Sequence, residues 1–264
     1  MKKVIFMSVV ALMSLCVVAQ ESQPRSYVAP FVKSGEIVVD GDITDQAWAA
    51  APWTAEFVDI RGFDYEPTPI YSTRAKVMWD DTYIYFAFEM EEPHLWGTLT
   101  ERDATIYWDN DIEIFIDPDS DGRNYQEYEY NVLGTEWDLL LTEPQARGGV
   151  HINNFDMKGM VSAVKAYGTI NDPSDVDEKW TFEVKMPIKG VLQSSYDKHK
   201  PMSEQRWRLN FSRVEWLKFE VVDGEYRKKE GTNNYGFEEN WVWTPTGAVD
   251  MHRPEKWGYL TFEK

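Results

Sequence analysis

Hydrophobic and polar residues alternate with a period of two along most of the chain, which is the pattern of strands with one buried face. In the segment DIEIFID, for example, Ile112 and Ile114 share one face of the strand, while Glu113 points to the other. The same alternation predicts strands in TRAKVMW, YIYFAFEME, DIEIFID, YQEYEYN, EWDLLLTE, VSAVKAYG, KWTFEVKMP, RWRLNFSRVEW and WGYLTFE.

Helical stretches are few. The segment TDQAWAAAP predicts one short helix, capped by Thr44 or Asp45 and stopped by Pro52. Many strands at this spacing are typical of an antiparallel β-sandwich. The sequence therefore predicts an all-β, immunoglobulin-like sandwich with one or two short helices, formed by a single domain over residues 37–264 that follows an N-terminal extension at 20–36.

The N-terminus has the features of a secretory signal peptide. A basic start (MKK) precedes an apolar run, and small residues end at Ala19. The run is too short for a membrane span, so we expect cleavage of residues 1–19 and export, with a secreted or periplasmic product. A lipoprotein signal that uses Cys16 is the alternative, which the bulky Leu15 before it disfavours.

Charge and cysteine content narrow the chemistry. The single cysteine lies in the predicted leader, so a disulfide framework, a zinc–thiolate site and a cysteine nucleophile are not expected. The chain has 27 basic and 45 acidic residues, a net charge of −18, which becomes −20 when Lys2 and Lys3 leave with the leader. That charge repels nucleic acids and anionic membranes, and it suits neutral ligands or cations such as calcium.

Four motifs occur in a characteristic order: VDGDITDQAW (39–48), KVMWDDTYIYFAFEMEE (76–92), WDNDIEIFID (108–117) and HRPEKWGYLTFE (252–263). Together they resemble the family 9 carbohydrate-binding modules, a β-sandwich group related to the DOMON fold. The resemblance runs from about Ile37 to the C-terminus. It implies a DOMON-like sandwich and a non-catalytic protein that binds an oligo- or polysaccharide during polysaccharide breakdown.

In that family, the site holds a terminal sugar between two tryptophans, and nearby polar side chains bond the sugar hydroxyls. The resemblance places the first tryptophan at Trp108, or at Tyr107 if the alignment slips by one residue. It matches the strand glutamate of the family to Glu113 and an asparagine of the next strand to Asn131. Aromatic rings suit sugars because the apolar C–H face of a pyranose packs well on a π-face.

The second tryptophan is where the chain departs from the family pattern. Its position, just before the P-x-x-(F/W)-G ending, is Met251, beside His252. The resemblance then leaves two expectations open. Either Met251 or His252 forms a softer second wall, or Trp241 or Trp243 replaces the tryptophan from the preceding loop.

The residues around the strand glutamate have two interpretations. Glu113 points away from the isoleucines of its strand, so it lies on a solvated outer face or on a ligand-binding one. Glu129 and Asn131 share a face of the next strand and are expected to neighbour it. Arg213 would donate to a sugar hydroxyl or pair with one of these acids.

The turn DPDSDG places Asp117, Asp119 and Asp121 at the spacing that opens an EF-hand calcium loop. The twelfth position is Tyr128 instead of the closing glutamate, so a polar hairpin turn is the alternative. Modules of the family bind structural calcium, so the resemblance favours a calcium ion, the only cofactor expected.

Two other functions stay open. A glycoside hydrolase needs two carboxylates about 5 Å or about 6.5–9.5 Å apart, and 45 acidic residues supply such a pair by chance. A haem-binding electron-transfer module of the DOMON type would use methionine and histidine ligands. The candidates for those ligands are Met90, His94, Met251 and His252.

Overall fold

The computed structural model describes residues 23–229 and 238–264. In these residues the chain forms fifteen strands. The strands are β1 (Ser26–Pro30), β2 (Val58–Asp59), β3 (Thr73–Trp79), β4 (Tyr83–Glu91), β5 (Asp111–Asp117), β6 (Tyr125–Asn131), β7 (Glu136–Leu141), β8 (His151–Ile152), β9 (Val161–Tyr167), β10 (Lys179–Pro187), β11 (Arg206–Glu215), β12 (Phe219–Val222), β13 (Glu225–Lys228), β14 (Glu239–Val242) and β15 (Gly258–Glu263).

Helical structure in the described residues consists of short turns. The α-helix α1 (Ile188–Val191) is a single turn. The 3₁₀ turns are Gln46–Ala50, Ile106–Trp108, Gln145–Arg147, Leu192–Ser194, Met202–Glu204 and Pro254–Lys256. The predicted helix at 44–52 is therefore a 3₁₀ turn, and Asp45 does not cap it, because the Asp45 carboxylate accepts the Val38 amide at 2.7 Å.

Two sheets form the body of the protein. The large sheet follows the order β1-β15-β11-β5-β6-β7-β8, with β14 beside β11 and β2 beside β14. The small sheet has the order β3-β4-β10-β9, and β12 and β13 form a separate hairpin. Neighbouring strands are antiparallel except β1, which runs parallel to β15. The predicted all-β sandwich is confirmed.

The main core lies between the two sheets and follows the predicted alternation. Ile112, Ile114 and Ile116 of β5 face the small sheet, whose β4 contributes Phe86 and Phe88. Their side chains are fully buried. Because successive residues of a strand point to opposite faces, Asp111, Glu113, Phe115 and Asp117 project from the outer face of the large sheet. Because the isoleucines of β5 occupy the core, the residues between them are the ones that can contribute to a site on the outer face.

The outer face of the large sheet is covered. A second apolar cluster there contains Phe115 and Tyr125 from the sheet, and Ile60, Met251 and Trp257 from the covering segments. Every residue of β5 and β6 is buried. The prediction of a solvated outer face, which the sequence allowed for these two strands, is therefore wrong.

The large sheet includes residues before the predicted domain start at residue 37. Strand β1 pairs along its whole length with β15, and Tyr27 and Ala29 belong to the main core. The predicted signal peptide and Cys16 lie outside the described residues. Within the described part of the chain, no helix has the length and apolar character needed to cross a membrane.

Candidate functional site

A cleft of about 520 Å³ opens on the outer face of the large sheet. Side chains of β5 and β6 form its floor, and β7 lines it together with segments at residues 105–107, 145–153 and 249–252. This volume is in the range of small-molecule sites, about 300–1,000 Å³. The cleft is therefore the candidate functional site.

Three glutamates form the floor of the cleft. In the β5–β6 ladder, Glu113 pairs with Glu129, and Phe115 pairs with Glu127. Paired residues project to the same face of a sheet, so the three carboxylates lie side by side. Glu113, Glu127 and Glu129 are 5%, 4% and 1% exposed. The floor is thus acidic and nearly dry.

Burial and mutual repulsion change the ionisation of this floor. Burial raises the pKa of Glu113 to about 7. Burial, reinforced by the charge of Glu113, raises the pKa of Glu127, Glu129 and the neighbouring Asp111 well above the usual range. Four carboxyl groups in one dry cluster cannot all ionise without a compensating partner.

Hydrogen bonds fix two of the four carboxylates. Glu129 Oε2 accepts the Tyr107 amide at 3.0 Å, which ties the 3₁₀ turn of Tyr107 to the floor. Asp111 Oδ1 accepts the Val214 amide at 3.1 Å. Within the described residues, Asp111 Oδ2 and Glu127 Oε2 are buried without a hydrogen-bond partner.

Two aromatic rings stand beside the floor. Tyr107 comes from the 3₁₀ turn before β5, and Trp137 lies on β7 opposite Glu129. Their ring centroids are 6.3 Å apart and their planes are inclined by 30°. Both side chains are partly exposed and line the cleft, so they present an apolar surface next to hydrogen-bond acceptors.

A second lining group consists of Phe115, Met251 and His252. Met251 is 8% exposed and packs in the outer cluster with Phe115 and Trp257. The Tyr125 hydroxyl lies 3.1 Å from His252 Nδ1. Burial lowers the pKa of His252 to about 4, so its ring is neutral at physiological pH.

The cleft brings together five of the residues that the sequence suggested: Tyr107, Glu113, Glu129, Met251 and His252. Trp108 is not among the lining residues. Its side chain is 47% exposed, and Lys228 Nζ lies 5.5 Å from its ring. Of the two alignments, the one that slips by one residue is therefore the one whose aromatic residue, Tyr107, lines the cleft.

Arg213, Trp241 and Trp243 lie on the core side of the large sheet. The Arg213 side chain is 1% exposed, and its Nη2 donates to Glu92 at 2.9 Å and to Glu215 at 2.8 Å. Trp241 and Trp243 are 2% and 1% exposed and belong to the main core. The sheet separates these three side chains from the cleft.

Asn131 is also buried, and its amide group shapes the turn after β6. Its Nδ2 donates to the carbonyl of Leu99 at 2.8 Å and to Asp109 at 3.0 Å. Its Oδ1 accepts the amides of Leu133 and Thr135 at 3.1 and 3.0 Å. The structure therefore gives Asn131 four partners within the chain and does not place it in the lining of the cleft.

The carboxylates of the DPDSDG turn lie close together. Asp117, Asp119 and Asp121 offer oxygens within 4.8 Å of one another. Each oxygen of Asp117 already accepts a turn amide, at 3.0 and 2.8 Å. Tyr128, at the closing position of an EF-hand, points into the core. This turn lacks the closing ligand, and calcium binding here stays a prediction.

The four residues considered for haem belong to three different clusters. Met90 is in the main core. His94 Nδ1 lies 3.2 Å from the Tyr226 hydroxyl, within a separate aromatic group. Met251 and His252 line the cleft. These residues do not converge on one site.

Sequence reasoning missed Trp137, Glu127 and Phe115. Glu127 and Phe115 follow from the alternation, since each shares a face with a glutamate that was singled out. Trp137 can be found from the turn between β6 and β7. If the segment VLGT forms that turn, the two strands pair in a register that places Trp137 opposite Glu129. The signal for the aromatic surface was thus the register of the β6–β7 hairpin.

Comparison with known proteins identifies the family. A family model described as carbohydrate family 9 binding domain-like matches residues 39–199, more than half of the chain. The chain belongs to this family. No curated protein matches it.

Solved structures share the fold of this family 9 chain at low identity. A protein from Bacteroides uniformis, provisionally named as carbohydrate-binding, is 15% identical with a TM-score of 0.63, over 90% of this chain and 99% of that one. A family 9 module from Caldicellulosiruptor kristjanssonii in complex with cellotriose is 16% identical with a TM-score of 0.55, over 90% and 94%. The same module in complex with glucose is 16% identical with a TM-score of 0.55, over 88% and 94%.

The segment matched by the family 9 model contains the floor and the Tyr107–Trp137 surface, whereas Met251 and His252 lie beyond it. The part of the cleft inside the matched segment therefore carries both the acceptors and the aromatic rings.

Proposed function

We propose that the chain binds a neutral oligosaccharide or polysaccharide in the cleft, without catalysis, as an exported protein that acts in polysaccharide breakdown. The observation that carries the proposal is the Tyr107–Trp137 surface beside buried carboxyl groups in one cleft. Membership of the family 9 carbohydrate-binding group supports it, and so do family 9 neighbours in complex with cellotriose and glucose.

The chemistry of the cleft suits a sugar. The apolar C–H face of a pyranose packs on an aromatic ring, and its hydroxyl groups donate to carboxylate oxygens. Glu113 and Glu129 offer such acceptors next to the Tyr107 ring. A single sugar unit at a chain end would use both features at once, so we propose that the cleft takes a chain end.

Calorimetric titration with glucose, xylose, cellobiose, xylobiose and mannobiose tests the proposal. We expect saturable heat with at least one sugar, and a loss of about 1–2 kcal/mol in Trp137→Ala, roughly five- to thirtyfold in Kd. Tyr196→Ala, which removes an aromatic side chain that is 81% exposed and outside the cleft, is the matched control. The absence of binding heat with every sugar of the panel would refute the proposal.

The variant Trp108→Ala decides between the two alignments of the family tryptophan. Trp108 lies outside the cleft lining, so we expect its removal to leave the sugar affinity within about twofold. A loss as large as that of Trp137→Ala would instead place the sugar on the exposed Trp108 ring and outside the cleft.

A glycoside hydrolase is the second candidate, because burial raises the pKa of Glu113 to about 7, as a catalytic acid requires. The three glutamates lie side by side on one floor, whereas hydrolysis needs carboxylates that flank the scissile bond. We therefore expect no release of reducing sugar by the purified chain. Release that disappears in Glu113→Gln would reverse this conclusion.

A further inference from the structure

Three buried carboxylates converge at the floor of the cleft, where Glu113 and Glu129 line it and Asp111 lies beside them without exposure. Asp111, Glu113 and Glu129 each offer one oxygen, and these oxygens lie within 4.8 Å of one another. The oxygen ligands of one calcium ion are at most about 5 Å apart, because each Ca–O distance is about 2.3–2.6 Å. The cluster thus has the dimensions of a calcium coordination shell.

The neutral side chain of Ser212 projects towards the same carboxylate cluster. Ser212 of β11 pairs with Glu113 across the sheet, so both side chains project from the outer face. Ser212 is 0% exposed, and its hydroxyl makes no hydrogen bond of normal geometry within the described residues, although it lies close enough to Glu113 to lower the pKa of that carboxyl. A buried hydroxyl without a partner costs about 1–3 kcal/mol, and here it adjoins an acidic cluster.

Two carboxylate oxygens of the described residues are also buried without a hydrogen bond. Asp111 Oδ2 and Glu127 Oε2 are buried and unpartnered in the part of the chain that the structure describes. The described residues that line the cleft include no lysine or arginine. Unpaired buried carboxylates are costly unless a cation or a proton compensates them. The described residues of the lining therefore supply no cation that would compensate the cluster.

We propose that Asp111, Glu113 and Glu129 bind one divalent cation of the calcium class at the floor of the cleft, with the Ser212 hydroxyl as a further ligand. All of these donors are oxygens, the ligand type that calcium prefers, and none is a cysteine or histidine of the kind that favours zinc. Glu113 and Glu129 line the cleft, so the ion has an entry path from solvent. This inference does not depend on saccharide binding.

Calcium titration of the whole chain, after treatment with a chelator, tests the proposal. We expect one saturable event with a Kd of about 10⁻⁵–10⁻³ M, weakened at least about tenfold in Asp111→Asn. Ser212→Ala is expected to weaken it severalfold while it leaves the charge of the cluster unchanged. Glu220→Gln, which removes an exposed carboxylate on β12, is the matched control and should bind like the wild type.

The double variant Asp119→Asn, Asp121→Asn separates the floor from the DPDSDG turn. Calcium binding that persists in this variant and is lost in Asp111→Asn places the ion in the floor. The converse pattern, or no saturable uptake by the wild type, would overturn the proposal.

Thermal denaturation shows whether a variant that does not bind is folded. Burial disfavours the ionised form of Asp111, and Asp111→Asn puts an uncharged amide of nearly the same size in its place, so the calcium-free variant should melt cooperatively and no earlier than the calcium-free wild type. Calcium should raise the melting temperature of the wild type and leave that of the variant unchanged. An equal rise in both would contradict the floor site.

Terbium luminescence provides a second readout of position. Terbium replaces calcium at oxygen sites and emits when a nearby indole is excited. Trp137 lines the same cleft as the floor carboxylates. Trp137→Phe should therefore reduce the sensitised emission at saturating terbium without changing the Kd for calcium. Unchanged emission would place the ion away from the cleft.

Discussion

His252 is a partly buried base whose neutral form the cleft stabilises. Its ring packs near Phe115 and lies beside the Tyr125 hydroxyl. Burial lowers the pKa of His252 from 6.5 to about 4 in the folded chain. Between these two pH values the unfolded chain binds a proton that the folded chain does not, so stability falls as the pH falls.

This difference predicts a measurable pH dependence. We expect His252 to cost the wild type about 2–3 kcal/mol of its free energy of unfolding as the pH falls from about 6.5 to about 4, with no further change below. In His252→Gln this part of the dependence should vanish. Urea denaturation of both proteins across this range measures it, because carboxylates titrate in both and cancel in the difference. Parallel profiles would contradict the prediction.

Arg213 is expected to act on stability instead of on ligand binding. Its guanidinium pairs with Glu92 and Glu215, all three nearly without exposure, and also donates to Thr73 at 2.9 Å. Arg213→Leu leaves two buried carboxylates without their cation, so we expect a loss of about 3–5 kcal/mol in the free energy of unfolding.

The control for Arg213→Leu is its sugar affinity at a temperature where it remains folded. Because Arg213 lies on the core side of the sheet, that affinity should match the wild type. Normal stability with lost affinity would instead mean that the side chain reaches the ligand.

At the scale of residues, the sequence could predict the position of a side chain only where the alternation within its own strand determines that position. Alternation placed Glu113 and Glu129 on the outer face, and the structure confirms both positions. Alternation gave no information on whether a loop covers that face, and so it left their burial open. Trp241 and Trp243 were expected in a loop, as one of two alternatives for the second wall, because their pairing with β11 depends on distant residues.

At the scale of elements, strand prediction succeeded wherever one face is core and the other is not. Strands β3 to β7, β9 to β11 and β15 all lie in segments that the alternation marked. The short strands β2, β8 and β14 were not predicted, because two to four residues carry no periodic signal. Strand β1 was missed because its neighbour in the sheet is the C-terminal β15, far away in sequence.

The start of β15 gives a prediction for this scale. A Cβ atom on Gly258 would lie 2.5 Å from the Trp243 ring and 2.8 Å from the Arg25 carbonyl oxygen. Neither neighbour can move easily, because Trp243 is in the core and Arg25 O accepts the Tyr259 amide at 2.9 Å. We expect Gly258→Ala to cost about 1–3 kcal/mol in the free energy of unfolding.

Gly62→Ala is the matched control, because a Cβ atom there meets nothing within 4 Å. It should change the stability by no more than about 0.5 kcal/mol. Chemical denaturation of the two variants measures the difference. Equal stabilities would show that the junction of β1, β14 and β15 is looser than the structure indicates.

At the scale of the whole molecule, charge separates the proposed ligand from other glycans. The chain carries a net charge of −18, and the described residues that line the cleft include Glu238 and Asp250 as well as the floor glutamates, but no lysine or arginine. A neutral sugar does not interact with this field, whereas a sugar that carries a carboxylate is repelled. Salt screens the repulsion and leaves hydrogen bonds and ring stacking largely unchanged.

We therefore expect the Kd of a bound neutral disaccharide to change by less than about twofold between about 0.05 and 0.5 M NaCl. The matching disaccharide with one uronic acid should bind at least about tenfold more weakly at the lower salt, and the gap should narrow as salt rises. Calorimetry measures the Kd of both disaccharides. The buffer contains a chelator, because a cation at the floor would attract the sugar carboxylate and mask the repulsion. Equal affinities under these conditions would mean that the acidic residues of the cleft do not repel the sugar carboxylate, and would place the sugar outside the cleft.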